Sequence, residues 1–181
     1  MSLRTILITL AGGLLLTGCQ ASLPPLQTVE KVDLERFMGD WYVIANIPTF
    51  IEKGAHNAVE SYRLDDDGTI ATTFTFRKDA FNGARKEYHP RGFVRNRQTN
   101  AEWGMQFIWP FKGAYRIIYL DDDYSGTIIG RNKRDYVWLM ARKPQLSADR
   151  FEEALGVIAD AGYDLSQLQR VPQQWPQEDR P

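Results

Sequence analysis

The sequence predicts an all-β protein: an eight-stranded antiparallel up-and-down β-barrel with one C-terminal α-helix packed on its outside. Three observations predict it. Short runs of alternating apolar and polar residues recur between residues 41 and 142, and period-two alternation marks a half-buried strand. Turn-forming clusters such as Asp66-Asp67-Gly68 and Phe81-Asn82-Gly83 separate these runs at short intervals. Only one segment, after Pro144, has a helical stripe, formed by Phe151, Leu155 and Ile158. A meander of eight short strands hides its sheet edges by closing on itself.

The elements follow in order. Residues 41–47 are rich in β-formers and stop at Pro48. Residues 57–64 alternate and run into the Asp-Gly turn at 65–68, a hairpin signal. Residues 69–77 carry their large apolar side chains on even numbers. Residues 85–94 form a fourth strand, weakened by Pro90, which has no N–H for the ladder. Residues 101–109 place Trp103, Met105, Phe107 and Trp109 on one face, and residues 110–113 turn the chain. Residues 115–120, 127–131 and 136–142 complete the barrel. Ser147 is the expected helix N-cap, with Asp149, Glu152 and Glu153 in the first turns, where the helix dipole favours acids. Gly162 is the expected stop, and Val171 begins a last short strand.

Composition excludes several functions. At 181 residues the chain is one domain. Lys and Arg number 22 against 23 Asp and Glu, a balance that argues against nucleic-acid binding driven by a basic surface. The single cysteine excludes an intrachain disulfide and every Cys-rich metal motif. His56 and His89 lie far apart in sequence with no cysteine nearby. The Asp triplets at 65–67 and 121–123 lack the ligand spacing of a calcium loop and fall where hairpin turns are needed. No nucleophile elbow or phosphate loop occurs. No metal, cofactor or catalytic residue is therefore assigned.

The N-terminus reads as an address. After Arg4, residues 5–16 form an apolar stretch too short to cross a bilayer, which needs about 20 residues. It ends in Leu16-Thr17-Gly18-Cys19, which resembles the lipobox of bacterial lipoproteins. That resemblance implies removal of residues 1–18, lipidation of Cys19 and, with Gln20 rather than Asp behind it, sorting to the outer membrane facing the periplasm. Residues 19–31, with Pro24-Pro25, read as an extended tether, residues 32–175 as the barrel with its helix, and residues 176–181 as a polar tail.

Further motifs appear in a fixed order. Gly39-Asp40-Trp41 opens the first strand, Asp123-Tyr124 lies between two later strands, and Arg142 ends the last. Together with Pro110-Phe111-x-Gly113-x-Tyr115, Arg134-Asp135-Tyr136-x-Trp138 and Gly162-Tyr163-Asp164, this ordered set resembles the lipocalin family, in particular its bacterial outer-membrane lipoproteins. Ala141-Arg142-Lys143-Pro144 departs mildly from the family's usual Ser-Arg or Thr-Arg. Gly39, Trp41, Asp123, Tyr124 and Arg142 also have structural reasons to be present: Trp41 can plug the closed end, and Arg142 can lie over its indole. We read them as keys to the fold rather than as a binding site.

Strand phase gives the expected lining. Ala58, Glu60 and Tyr62 face inward, with Ile70, Thr72, Phe74 and Phe76, then Tyr88, then Trp103, Met105 and Phe107, then Tyr115, Ile117 and Tyr119, and finally Trp138 and Met140. The set is aromatic and sparsely polar, as pockets for small apolar ligands are. Small residues at 58, 72 and 130 favour a cavity over a filled interior. Glu60 either binds a polar head group or sits at a wet mouth. The resemblance implies a membrane-anchored carrier of fatty acids, phospholipids or lysophospholipids, acting in envelope maintenance under stress and forming a homodimer. The alternatives are a partner-binding lipoprotein with a filled barrel and a lipocalin-type enzyme.

Overall fold

The computed structural model describes residues 23–175, so the expected leader at 1–18, Cys19 and the 176–181 tail lie outside the described residues. Nine strands follow chain order: β1 (Gly39–Ile47), β2 (Ala55–Leu64), β3 (Thr69–Lys78), β4 (Arg85–Tyr88), β5 (Arg91–Val94), β6 (Glu102–Ile108), β7 (Phe111–Leu120), β8 (Gly126–Gly130) and β9 (Val137–Ala141). Pairing is antiparallel throughout, and β9 returns to β1, closing the barrel.

The fourth expected strand is split. β4 pairs with residues 74–77 of β3, and β5 pairs with residues 69–71. The break falls at His89-Pro90, where the missing N–H interrupts the ladder. β4 and β5 thus act as one wall of an eight-stranded barrel. The turn expected at 110–113 is narrower: it comprises Trp109 and Pro110, and β7 already begins at Phe111. A short β10 (Gln169–Arg170) pairs with Ala45 and Asn46, just ahead of the expected Val171, whose N–H donates to the Ile44 carbonyl at 2.9 Å.

α2 (Ala148–Asp160) starts at Ser147, whose hydroxyl oxygen accepts from the Arg150 N–H at 3.3 Å. It buries Phe151, Ala154 and Ile158 against the outer wall, among Ile44, Ile128 and Leu139. Gly162 follows the C-cap at φ +86°, a left-handed position that glycine takes without strain.

One end of the barrel is closed. A single-turn helix, α1 (Leu34–Phe37), lies across it, with Trp41 completely buried behind. The Trp41 indole N–H donates to the Phe37 carbonyl at 2.8 Å. Arg142 stacks over the indole, 3.8 Å from the ring centroid. Its guanidinium donates to the carbonyls of Asp40, Arg36, Phe37 and Met38 at 2.8–3.0 Å. A cation over the last carbonyls of a helical turn satisfies acceptors that have no partner within the turn. Gly39, at φ +93°, leaves room for this side chain, since a Cβ there would lie 3.3 Å from Arg142 Nη1. Tyr124 completes the plug: its hydroxyl oxygen accepts from the Asp33 N–H at 2.9 Å, and Arg36 lies over its ring. Asp123 accepts from the Ser125 N–H and shapes the adjoining turn.

Candidate functional site

Above this plug, aromatic side chains fill the lower barrel. Trp103 and Tyr115 stack with centroids 4.9 Å apart, and Phe37 and Tyr62 meet the Trp103 ring edge-on. Space opens in the upper half, toward the mouth formed by the β1–β2, β6–β7 and β8–β9 connections. There a cavity of about 310 Å³ is walled mainly by apolar side chains, near the lower end of the range for small-ligand pockets.

Six of the expected lining residues border this cavity: Glu60, Phe74, Met105, Phe107, Tyr115 and Trp138. Ala58, Tyr62, Phe76, Trp103, Ile117 and Met140 face the interior but belong to the packed region, with Tyr88 partly buried against it. Thr72 is buried as well. Phe107 is a rim residue, 49% exposed, because the β6–β7 register shifts between Met105 and Ile108 and strict alternation ends there.

Tyr119 corrects the expected lining. The β7–β8 register shifts between Ile117 and Tyr119, which turns Tyr119 onto the outer face, where its hydroxyl donates to Asp121 at 2.6 Å. Gly130 is a second correction, because its smallness serves the outside. A Cβ there would lie 2.6 Å from the Tyr163 hydroxyl and 2.9 Å from Leu26.

Connections supply further wall residues. Thr49, Phe50, Ile51 and Glu52 come from the β1–β2 connection, and Arg131 and Tyr136 from the β8–β9 connection. Phe111 and Gly113 extend β7 inward on the same odd-numbered phase as Tyr115. That phase was available in the sequence once the turn is confined to Trp109-Pro110.

Two polar clusters meet the cavity. Tyr62 donates its hydroxyl proton to Glu60 and lies 2.9 Å from the Tyr115 hydroxyl. Burial, and then repulsion from Glu52, push the Glu60 carboxyl from 4.5 up to about 8. Burial, with Glu60 adding to it, pushes the Tyr115 phenol well above its ordinary range. Glu52 accepts from the Trp138 indole N–H at 2.6 Å, from the Thr49 N–H at 2.9 Å and from Asn46 at 3.4 Å. These bonds tie the β1–β2 loop to β9. At the rim, Arg131 lies over the Tyr136 ring and pairs with Asp135 at 3.4 Å.

The Asp triplets are turn-builders. Asp67 accepts from the Thr69 N–H at 2.9 Å, and Asp121 accepts from Tyr119, Ser125 and Arg150. Among the described residues, no three His, Cys, Asp or Glu side chains converge to hold a metal. His56 lies beside the Gly54 carbonyl and His89 beside Glu87.

A closed end plugged by Trp and Arg, an open end leading to an apolar cavity, and an outer helix make up the geometry with which known proteins can be compared. Outer membrane lipoprotein Blc of Escherichia coli K12 is 27% identical over 170 residues, covering 93% of this chain and 96% of that protein. Temperature-induced lipocalin-1 of Arabidopsis thaliana is 29% identical over 157 residues, covering 82% and 83%. The fold of insecticyanin from the tobacco hornworm Manduca sexta superposes with a TM-score of 0.66 at 16% identity, covering 86% of this chain and 87% of that one. Residues 32–173 match the lipocalin-like domain family, and the chain belongs to it.

Proposed function

We propose that this chain is a non-enzymatic carrier or store of a hydrophobic ligand, held at the outer membrane by a lipidated Cys19 and facing the periplasm. In this reading residues 1–18 are removed and residues 19–31 tether the barrel. The observation that carries the proposal is the apolar, one-ended cavity of about 310 Å³ above a sealed floor. Its size suits one acyl chain or part of one, as in a fatty acid or lysophospholipid. Burying about ten methylenes contributes roughly 8 kcal/mol before binding entropy is subtracted. The relatives' names support the setting: outer membrane lipoprotein for one, temperature-induced lipocalin for another. A role in envelope maintenance under stress, and a homodimer, belong to the same proposal.

Cys19→Ser removes the thiol to which the lipid is attached. The protein is then expected to leave the outer-membrane fraction. Retention there after an alkaline carbonate wash, which strips proteins held only by surface contacts, refutes the anchor.

The cavity is tested by filling it. A Cβ at Gly113 meets only the Met105 carbonyl oxygen, at 3.7 Å, so Gly113→Phe places a ring in the cavity without backbone conflict. Affinity for a fluorescent long-chain fatty acid is expected to fall about tenfold or more, about 1.4 kcal/mol, with little change in melting temperature. Native mass spectrometry of the parent is expected to show a co-purified single-chain amphiphile, and the same spectrum reads oligomeric state. No bound amphiphile and equal affinities for parent and variant defeat the carrier reading.

A further inference from the structure

The mouth carries more exposed apolar surface than a cavity rim needs. Phe50, Ile108, Trp109 and Phe111 are 78%, 68%, 82% and 75% exposed. They stand on two segments that wall the same cavity, the β1–β2 loop and the tip of the β6–β7 hairpin. Phe50, Ile108 and Phe111 border the same cavity and Trp109 lies between the last two in sequence, and apolar surface gathered at one rim calls for something to cover it.

The path of the N-terminal segment indicates what does. The Leu26 N–H donates to Asn132 Oδ1 at 2.9 Å, in the open-end β8–β9 connection. The chain then descends the outside of the barrel: the Val29 N–H donates to the Ile117 carbonyl, and the Val32 N–H to the Thr99 carbonyl near the closed end. The described chain therefore starts beside the mouth, at Leu23. Cys19 precedes Leu23 by four residues, a reach of at most about 14 Å. A lipid on Cys19 holds the mouth, rather than the plugged end, next to the bilayer.

Charge agrees. The open end carries Lys53, Lys112, Arg131, Lys133 and Arg134 against Asp79, Asp135, Asp160, Asp164 and the buried Glu52, a balanced set. The closed end carries the aspartates at 65–67 and 121–123 with Asp33 and Glu35, against Lys31, Arg36, Arg95, Arg97, Arg142 and Lys143, and so stays acidic on balance. An anionic lipid surface attracts the first end more than the second. Tryptophan beside basic residues suits the headgroup region, where a ring with one polar edge is favoured.

We infer that the Phe50, Ile108, Trp109 and Phe111 collar docks on a bilayer surface containing anionic phospholipid, so that the cavity opens directly onto lipid. The orientation rests on the anchor proposed above, whereas the collar can be tested without it.

The test uses the lipidated protein in phosphatidylethanolamine–phosphatidylglycerol vesicles with brominated acyl chains. The fluorescence difference between parent and Trp109→Phe isolates Trp109. Bromolipid is expected to quench that component, and vesicle binding is expected to shield it from iodide. In the unlipidated Cys19→Ser chain, Trp109→Ser with Phe111→Ser is expected to reduce co-sedimentation with the same vesicles about tenfold. Both sites are exposed, and an unchanged melting temperature confirms that the fold survives. Gly113→Phe is expected to keep the bromolipid quenching while losing ligand, which separates failure of docking from failure of the carrier reading. Trp109 that stays open to iodide on vesicles overturns the inference. So does a collar-dependent dimer in which Trp109 is shielded from both quenchers, since a second copy then covers the patch.

Discussion

Trp41→Ala is expected to cost about 3–5 kcal/mol of folding stability, the range for emptying a fully buried aromatic site. Against a typical domain stability of about 5–15 kcal/mol, that is roughly a fifth of the total at the least. Trp41 is completely buried, packs 5.0 Å from Phe37 and anchors the end of α1 through its indole N–H. Its loss also leaves the Arg142 guanidinium without the ring beneath it. Arg142→Ala should be destabilising for a related reason, because it strips the carbonyls of residues 36, 37, 38 and 40 of a shared donor. Arg142→Lys is expected to rescue little, because an ammonium cannot both lie flat on an indole and reach four carbonyls. Urea denaturation monitored by far-UV circular dichroism measures each variant. Because the cavity lies at the opposite end, the folded fraction should still bind the fluorescent fatty acid. An unchanged midpoint together with lost binding would show that this pair is a ligand site rather than a plug.

What the sequence revealed depended on whether alternation survived. β2 and β3 shift register between His56 and Val59 but stay unbroken from Val59 to Leu64, so Glu60, Tyr62 and Phe74 fall on the face their numbering implies, and Phe76 keeps the phase of Phe74 along β3. β6 and β7 each carry a register shift, and beyond the shift the odd–even rule inverts or fails. Tyr119 therefore lies outside and Phe107 at the rim. No local residue pattern distinguishes a bulge from a regular step in these strands. The fold keys were legible because each is a rare residue at a fixed place: a glycine before a tryptophan, a Tyr in a turn, an Arg at the end of a strand. Part of the cavity wall was not legible, because Phe50, Ile51 and Glu52 come from a connection that has no period, whereas Tyr136 shares the even-numbered phase of Trp138 and Met140 and was within reach. An apolar Phe50-Ile51 pair, two residues past Pro48 where the strand ends, was the hint available there. The division between filled lower barrel and open upper barrel was also hidden, since it depends on how rings such as Trp103 and Tyr115 stack.

Stability is expected to fall as pH rises from about 5 to about 9, and Glu60→Gln should remove most of that fall. Glu60 is buried at the cavity, with Trp41 and Phe74 opposite it on the flanking strands. Tyr62, Tyr115 and Glu52 are the titratable groups around it. Burial first, and Glu52 second, raise its carboxyl from 4.5 to about 8. Between those two values the folded chain holds a proton that the unfolded chain has released, so raising the pH favours unfolding. The slope approaches ~1.4 kcal/mol per pH unit. Below pH 4.5 both states are protonated and nothing is lost; above about 8 both are ionised and the penalty is fully developed. Glutamine keeps an acceptor for the Tyr62 hydroxyl but has no proton to lose. Denaturant midpoints at pH 5.5 and pH 9 therefore separate the two proteins: the parent should drop and the variant should stay nearly level. The same titration acts on the ligand. A neutral carboxyl tolerates an acyl chain or donates one hydrogen bond to a head group, whereas an ionised one repels a fatty-acid carboxylate and leaves a charge in an apolar cavity. Fatty-acid affinity should weaken above pH 8 in the parent and stay flat in Glu60→Gln. Parallel pH profiles for the two proteins, in stability and in binding, would mean that the Glu60 carboxyl is already ionised in the folded barrel.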